Sequence, residues 1–183
     1  LGSINRANGG GVVITGCPYD SYVTFESGTL TLHTVPPAVA ELNPIKIWNV
    51  GGTLVYGANG NCYRSSLGVL LAQEGWNVQM TGTRTAYATE PSGATTRDAW
   101  KRHTGIPSLS IKTTPSQSGL LEGLETHCAA AQEPDFTILQ LGTYEYWTTN
   151  HYYNATEAAA HWREACDRIL AALPGTVLVV TTV

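Results

Sequence analysis

Charge is scarce in this chain of 183 residues: ten Lys and Arg and fourteen Asp and Glu make up 13% of the sequence. A soluble domain ordinarily carries about 25%. The balance is acidic, with a net charge of −4. No basic stripe is present to neutralise phosphates, so nucleic acid is excluded as the expected partner. No apolar run approaches the ~20 residues of a membrane-spanning helix. No two cysteines stand in a C-x-x-C spacing, which argues against a zinc or thioredoxin-like centre. Repeats, low-complexity tracts and a visible signal peptide are missing too; in a secreted protein Leu1 would follow a removed segment. What is present is 43% hydrophobic residues, with five Trp and nine Tyr, enough for an ordered core. Thr, Ser, Asn and Gly make up for the missing charge, a surface chemistry common in secreted proteins.

The four cysteines are Cys17, Cys62, Cys128 and Cys166. An even count at wide spacing fits two disulfides in an oxidising compartment. Of the three possible pairings, Cys17–Cys62 with Cys128–Cys166 is favoured, because the second bridge would tie two neighbouring helices. The alternative is four buried free thiols in a cytosolic protein. Asn154-Ala155-Thr156 is an N-glycosylation sequon, and it points to the same extracellular setting.

Two regions differ in pattern. Residues 1–44 read as a β-rich N-terminal segment. Val12 to Thr15 follows a glycine run, and Ser21 to Glu26 and Thr29 to Thr34 alternate about Ser27-Gly28 as a hairpin. Pro36-Pro37 and Asn43-Pro44 end the segment. Residues 45–183 then alternate strand and helix. Ile45 to Val50 reads as a short buried strand. Cys62 to Glu74 reads as a helix with Tyr63, Leu67, Leu70 and Leu71 inward, stopped by Gly75. Trp76 to Thr81 is the second strand. Residues 82 to 117 form a long polar stretch of the kind that is usually functional. A helix over Ser118 to Gln132 turns Leu121, Leu124 and Cys128 inward, and Phe136 to Leu141 is the third strand. Asn154 and Glu157 make a capping box for a helix to Leu173 whose inward stripe is Ala158, Trp162, Ala165, Cys166, Ile169 and Leu173. Thr176 to Val183 is the fourth strand. Such alternation predicts an α/β fold, a doubly wound parallel sheet with helices on both faces.

Ligands of open parallel sheets bind at the carboxyl ends of the strands. Three segments fall there: Val50-Gly51-Gly52-Thr53-Leu54-Val55-Tyr56-Gly57, His103-Thr104-Gly105 and Leu141-Gly142-Thr143-Tyr144-Glu145. In this order, and with Ile45 to Asn49, Cys62 to Leu67 and Trp76 to Thr83 around them, they resemble the SGNH or GDSL hydrolases. The likeness is greatest to secreted carbohydrate esterases that deacetylate xylan. That family reads G-D-S-I-T-x-G, then G-H-S-G, then G-T-N-D at these places. The resemblance spans about residues 45 to 183 and implies the three-layer, flavodoxin-like SGNH fold with strand order 2-1-3-4-5.

It also implies a site. In the family the Ser of G-D-S is the nucleophile, a His from a C-terminal D-x-x-H is the general base, and a Gly and the Asn of G-T-N-D complete the oxyanion hole. Carried over, the nucleophile position is Thr53, the preceding Asp becomes Gly52, the oxyanion Gly is Gly105 and the Asn becomes Tyr144. No D-x-x-H occurs in the chain. Thr is a crowded nucleophile that needs a base, and losing one oxyanion donor costs about 10²–10³ in rate. A hydroxyl at 53 could instead cap its turn.

Near the third strand end, Tyr146 and Trp147 join Tyr144, Tyr152 and Tyr153 in an aromatic cluster that suits either loop packing or the stacking of sugar rings. His103 reads as substrate-facing or as a plain exposed loop residue. His127 and His161 read as helix-surface residues, and His161 with Glu164 makes a poor metal site, so no metal and no cofactor are expected. The expected function is a secreted, catalytically degenerate relative of carbohydrate esterases. It would bind carbohydrate or acylated polysaccharide in a retained cleft, or serve as a structural or interaction module. The alternative is an active ester hydrolase using Thr53, with its base supplied by a missing or partner segment.

A sheet truncated at its fourth strand would leave Val177 to Val180 as an apolar edge of the kind proteins cover. Residues 12–34, a second chain or further polypeptide are the expected covers.

Overall fold

The computed structural model describes residues 3–6, 12–15, 21–26, 29–34, 43–57, 63–85, 98–142 and 154–181. The N-terminal part contains two antiparallel ladders. Strand β1 (Ser3–Arg6) pairs with β2 (Val12–Thr15), and β3 (Ser21–Glu26) pairs with β4 (Thr29–Thr34), with Glu26 opposite Thr29. Each ladder is a separate two-stranded sheet.

The rest is an α/β unit. Its strands are β5 (Ile45–Gly51), β6 (Val78–Thr81), β7 (Thr104–Gly105), β8 (Phe136–Gln140) and β9 (Val177–Thr181). They form one sheet in the order β6-β5-β8-β9, with β7 added to β5 beyond the end of β6, and every pairing is parallel. Numbered along this unit, that is the expected 2-1-3-4. The helices are α1 (Thr53–Tyr56), α2 (Tyr63–Gln73), α3 (Leu120–Ala129) and α4 (Ala155–Ala172). None of the described helices is long and apolar enough to cross a membrane.

Alternation along the strands sorts side chains to two faces. Trp48 and Val50 of β5 and Leu139 of β8 meet Leu124 and Cys128 of α3 and Ala165 and Ile169 of α4 in one buried core. Helices α3 and α4 therefore share one face of the sheet. On the other face Leu67 and Leu71 of α2 lie against Ile45, Ile47 and Val78.

The α4 stripe is as expected: Ala158, Ala165 and Ile169 are buried, and Trp162 and Cys166 pack partly against the core. Its capping box is complete, with Asn154 Oδ1 accepting from the Glu157 amide at 3.0 Å and Glu157 Oε2 accepting from the Asn154 amide at 3.1 Å. Because the carboxylate of Asp caps as well as the amide of Asn, Asn154→Asp should leave the urea midpoint nearly unchanged. Asn154→Ala should lower stability by about 1 kcal/mol. Equal loss in both variants would deny the cap.

Two expectations need correction. In α2 the buried residues are Arg64, Ser65 and Gly68, while Leu70 is 59% exposed. The helix turns Gly68 inward because Trp100 packs there; a Cβ on Gly68 would lie 2.4 Å from the indole. Cys128 and Cys166 are free thiols rather than a bridge. Both are apolar fillers of the core between α3 and α4. Burial, and then the Glu125 carboxylate, push the Cys128 thiol up to about 11, which withholds the thiolate that disulfide formation needs. Cys17 and Cys62 lie outside the described residues.

The β9 edge is bare among the described residues. Val177, Val179 and Val180 are each at least 40% exposed, and the β3–β4 hairpin does not join this sheet. Residues 12–34 are thus not the strand partner of β9.

Candidate functional site at the strand ends

The carboxyl ends of β5, β7 and β8 converge through three close backbone approaches. Gly51 closes β5 so tightly against β8 that an added Cβ would lie 1.8 Å from the Gln140 carbonyl oxygen. That oxygen accepts the Gly52 amide at 3.1 Å. On the other side, the Ile106 amide donates to the Gly51 carbonyl at 2.9 Å. Gly105 of β7 pairs with Gly51 and passes under α1, where a Cβ would sit 2.4 Å from the Tyr56 nitrogen. Helix α1 starts at Thr53 and ends on Gly57, left-handed at φ 85°, whose amide returns to the Thr53 carbonyl at 2.9 Å.

Buried polar side chains brace this turn. Trp48 Nε1 donates to Thr104 Oγ1 at 2.9 Å. Arg64 is fully buried and its Nη1 donates to the Val55 carbonyl at the end of α1. The Tyr63 hydroxyl donates to Asn49 Oδ1 at 2.8 Å.

Gly52, Thr53 and Gly105 are thus brought to one place, as the motif spacing predicts. Their groups are already engaged, however. The Thr53 hydroxyl accepts the Ser108 amide at 3.2 Å, with Ser108 held at φ 60°. The Gly105 amide donates to His103 Nδ1 at 2.9 Å, which places that imidazole's proton on Nε2 if the ring is neutral. His103 itself is fully buried, edge-on to Tyr56 with ring centroids 6.0 Å apart. It therefore has no surface to offer a substrate, which corrects both exposed readings of this residue: the loop folds back under α1 instead of lying open. Tyr144, Tyr146 and Trp147 lie outside the described residues.

The sequence reading missed Ser108 and Arg64. Pro107-Ser108 marks a turn, but nothing local says that its amide reaches across to Thr53. A single arginine in an apolar helix carries no local sign that it is buried. Among the described residues no cluster of three His, Cys, Asp or Glu side chains is placed to hold a metal ion; Glu164 is taken by Arg168 at 3.1 Å.

Solved structures share the fold. A carbohydrate esterase family 3 from Talaromyces cellulolyticus superposes with a TM-score of 0.55 at 15% identity, over 74% of this chain and 60% of that one. A mutant acetyl esterase crystallised with an acetate ion superposes with a TM-score of 0.60, again at 15% identity and with the same coverage. The chain has an SGNH-hydrolase-like fold. It spans about 60% of the length of either solved chain. No protein-family model and no curated protein matches the sequence. Within the SGNH-like fold, Thr53 stands at the first residue after the central strand's glycine pair, and the β7 loop and the end of β8 flank it on either side.

Proposed function

We propose that the chain is a secreted, catalytically degenerate SGNH-fold domain that presents a glycan-facing surface at its strand ends, acting as a binding or interaction module. The observation that carries this reading is the engagement of Thr53: its hydroxyl accepts a backbone amide, and no histidine or carboxylate among the described residues is hydrogen-bonded to it. Without a base, a threonine hydroxyl at neutral pH is a weak nucleophile. The Gly105 amide, the expected oxyanion donor, is committed to His103. The esterase ancestry of the fold, the carbohydrate esterase among its structural neighbours and the Tyr144–Trp147 aromatic cluster support a sugar as the ligand.

The test is hydrolysis of p-nitrophenyl acetate and of acetylated xylan by the parent and by Thr53→Ala. Both proteins should show the same rate, indistinguishable from buffer. Turnover by the parent that disappears on substitution would instead establish an ester hydrolase with Thr53 as nucleophile. For the glycan, xylo-oligosaccharides should quench tryptophan emission in the parent and not in Trp147→Phe; no quenching at millimolar ligand would remove the sugar cleft.

A further inference from the structure

We propose that Asn154 carries an N-linked glycan, its side-chain amide capping helix α4 with the oxygen and holding the sugar on the nitrogen, a modification that rests on the secreted setting proposed above. Asn154-Ala155-Thr156 is the only Asn-x-Ser/Thr sequence in the chain. All three residues are exposed. The cap uses half of the amide. Asn154 Oδ1 accepts the Glu157 amide at 3.0 Å, and because the group is planar, Nδ2 lies on the side away from that bond. Among the described residues nothing accepts a hydrogen bond from Nδ2. Asp or Ser would cap this helix as well as Asn does. Asn alone offers a nitrogen to glycosylate.

Thr156 separates the two demands on this sequence. It stands in the first turn of α4, where a β-branched side chain is a poor helix former. Its hydroxyl makes no hydrogen bond among the described residues, so the fold does not require a hydroxyl at 156. The acceptor sequence does require one, two residues after the Asn. Next along the outer face of α4 come Ala159 and Ala160, both exposed, whose small side chains leave room for the first sugars.

The co-reactant is a lipid-diphosphate-linked oligosaccharide of the secretory pathway. Nδ2 bonds to the anomeric carbon, the bond from that carbon to the diphosphate oxygen breaks, the lipid diphosphate leaves, and Nδ2 gives up one proton. Oδ1 keeps its lone pairs, so the cap survives the transfer. Helix α4 joins the parallel strands β8 and β9, so its first turn lies at the carboxyl end of the sheet, the same end as Thr53. The glycan therefore stands on the side of the molecule that carries the candidate site.

Secreted from yeast behind a heterologous leader, the chain should run above its polypeptide mass. Peptide N-glycosidase should remove the excess and leave Asp at position 154. Thr156→Ser should keep the excess and Thr156→Val should lose it. Asn154→Asp should lose it too and melt with the deglycosylated parent, because the two are then the same polypeptide. Parent protein at its bare polypeptide mass, in the medium or in the cell extract, overturns the assignment. So does an excess that Thr156→Val retains. Since the leader supplies entry to the pathway, either result counts against the acceptor at Asn154 and leaves the secreted setting standing.

Discussion

Gly51→Ala should prevent the chain from reaching its cooperative native state. The added methyl would lie 1.8 Å from the Gln140 carbonyl oxygen and 3.0 Å from Val55 Cγ2. The oxygen cannot withdraw, because β8 is held in register along β5 and the same oxygen accepts the Gly52 amide. Relief requires β5 and β8 to part at the end where Thr53 begins. That exceeds ordinary overpacking, which costs about 1–3 kcal/mol, since the obstruction is backbone and not a side chain that can change rotamer. Urea unfolding followed by circular dichroism should show a broad, low-amplitude transition or insoluble protein. Gly75→Ala is the control: φ there is 82° but no atom lies within 4 Å of the new Cβ, so only the left-handed strain of about 1–2 kcal/mol is expected. Similar midpoints for the two variants would mean that the close approach at Gly51 does not constrain the fold.

At Gly52 the nearest atom to a Cβ is the Leu109 carbonyl oxygen at 3.5 Å. Gly51 is thus held to glycine by a backbone contact, whereas at Gly52 the space for a Cβ is open and only the backbone, at φ −86° and ψ −149°, disfavours a side chain.

The sheet was legible because each apolar run is bounded by Pro, Gly or Asp-containing turns, and because strand–helix alternation leaves few topologies. All four long strands and three long helices fall where periodicity places them. Elements without a period escaped: Thr104–Gly105 is two residues long and becomes a strand only through its register with Val50 and Gly51. Helix α2 was found but rotated wrongly. Its apolar residues surround the helix, so 3.6-residue spacing selects no face, and Gly68 against Trp100 decides it. The burial of His103 was illegible for a related reason. A lone histidine in a polar loop carries no sign that the loop folds under α1. Helices α3 and α4 are neighbours, as the favoured Cys128–Cys166 bridge assumed, but the two cysteines are free thiols.

Trp48→Ala should cost about 3–5 kcal/mol, the range for truncating a fully buried large aromatic. Two effects are superposed there, and they separate by substitution. Trp48→Phe keeps much of the ring's packing but deletes the indole donor, and leaves the buried Thr104 hydroxyl without that bond. Thr104→Val removes the acceptor and strands the indole N–H, a loss of about 1–3 kcal/mol. The double variant should lose less than the sum of the two, because each single change already forfeits the same bond. The location matters more than the total. This bond fastens β7 to β5 immediately before the Ile106 amide meets Gly51 and the Ser108 amide meets Thr53. In Thr104→Val the amides of Ile106 and Ser108 should exchange with deuterium markedly faster, while those of β8 and α4 follow global unfolding alone. If all four regions accelerate together, the bond stabilises the whole domain and gives no special hold on the loop. If only the loop accelerates, the engagement of Thr53 is itself maintained from the core, by a tryptophan on the strand that carries the motif.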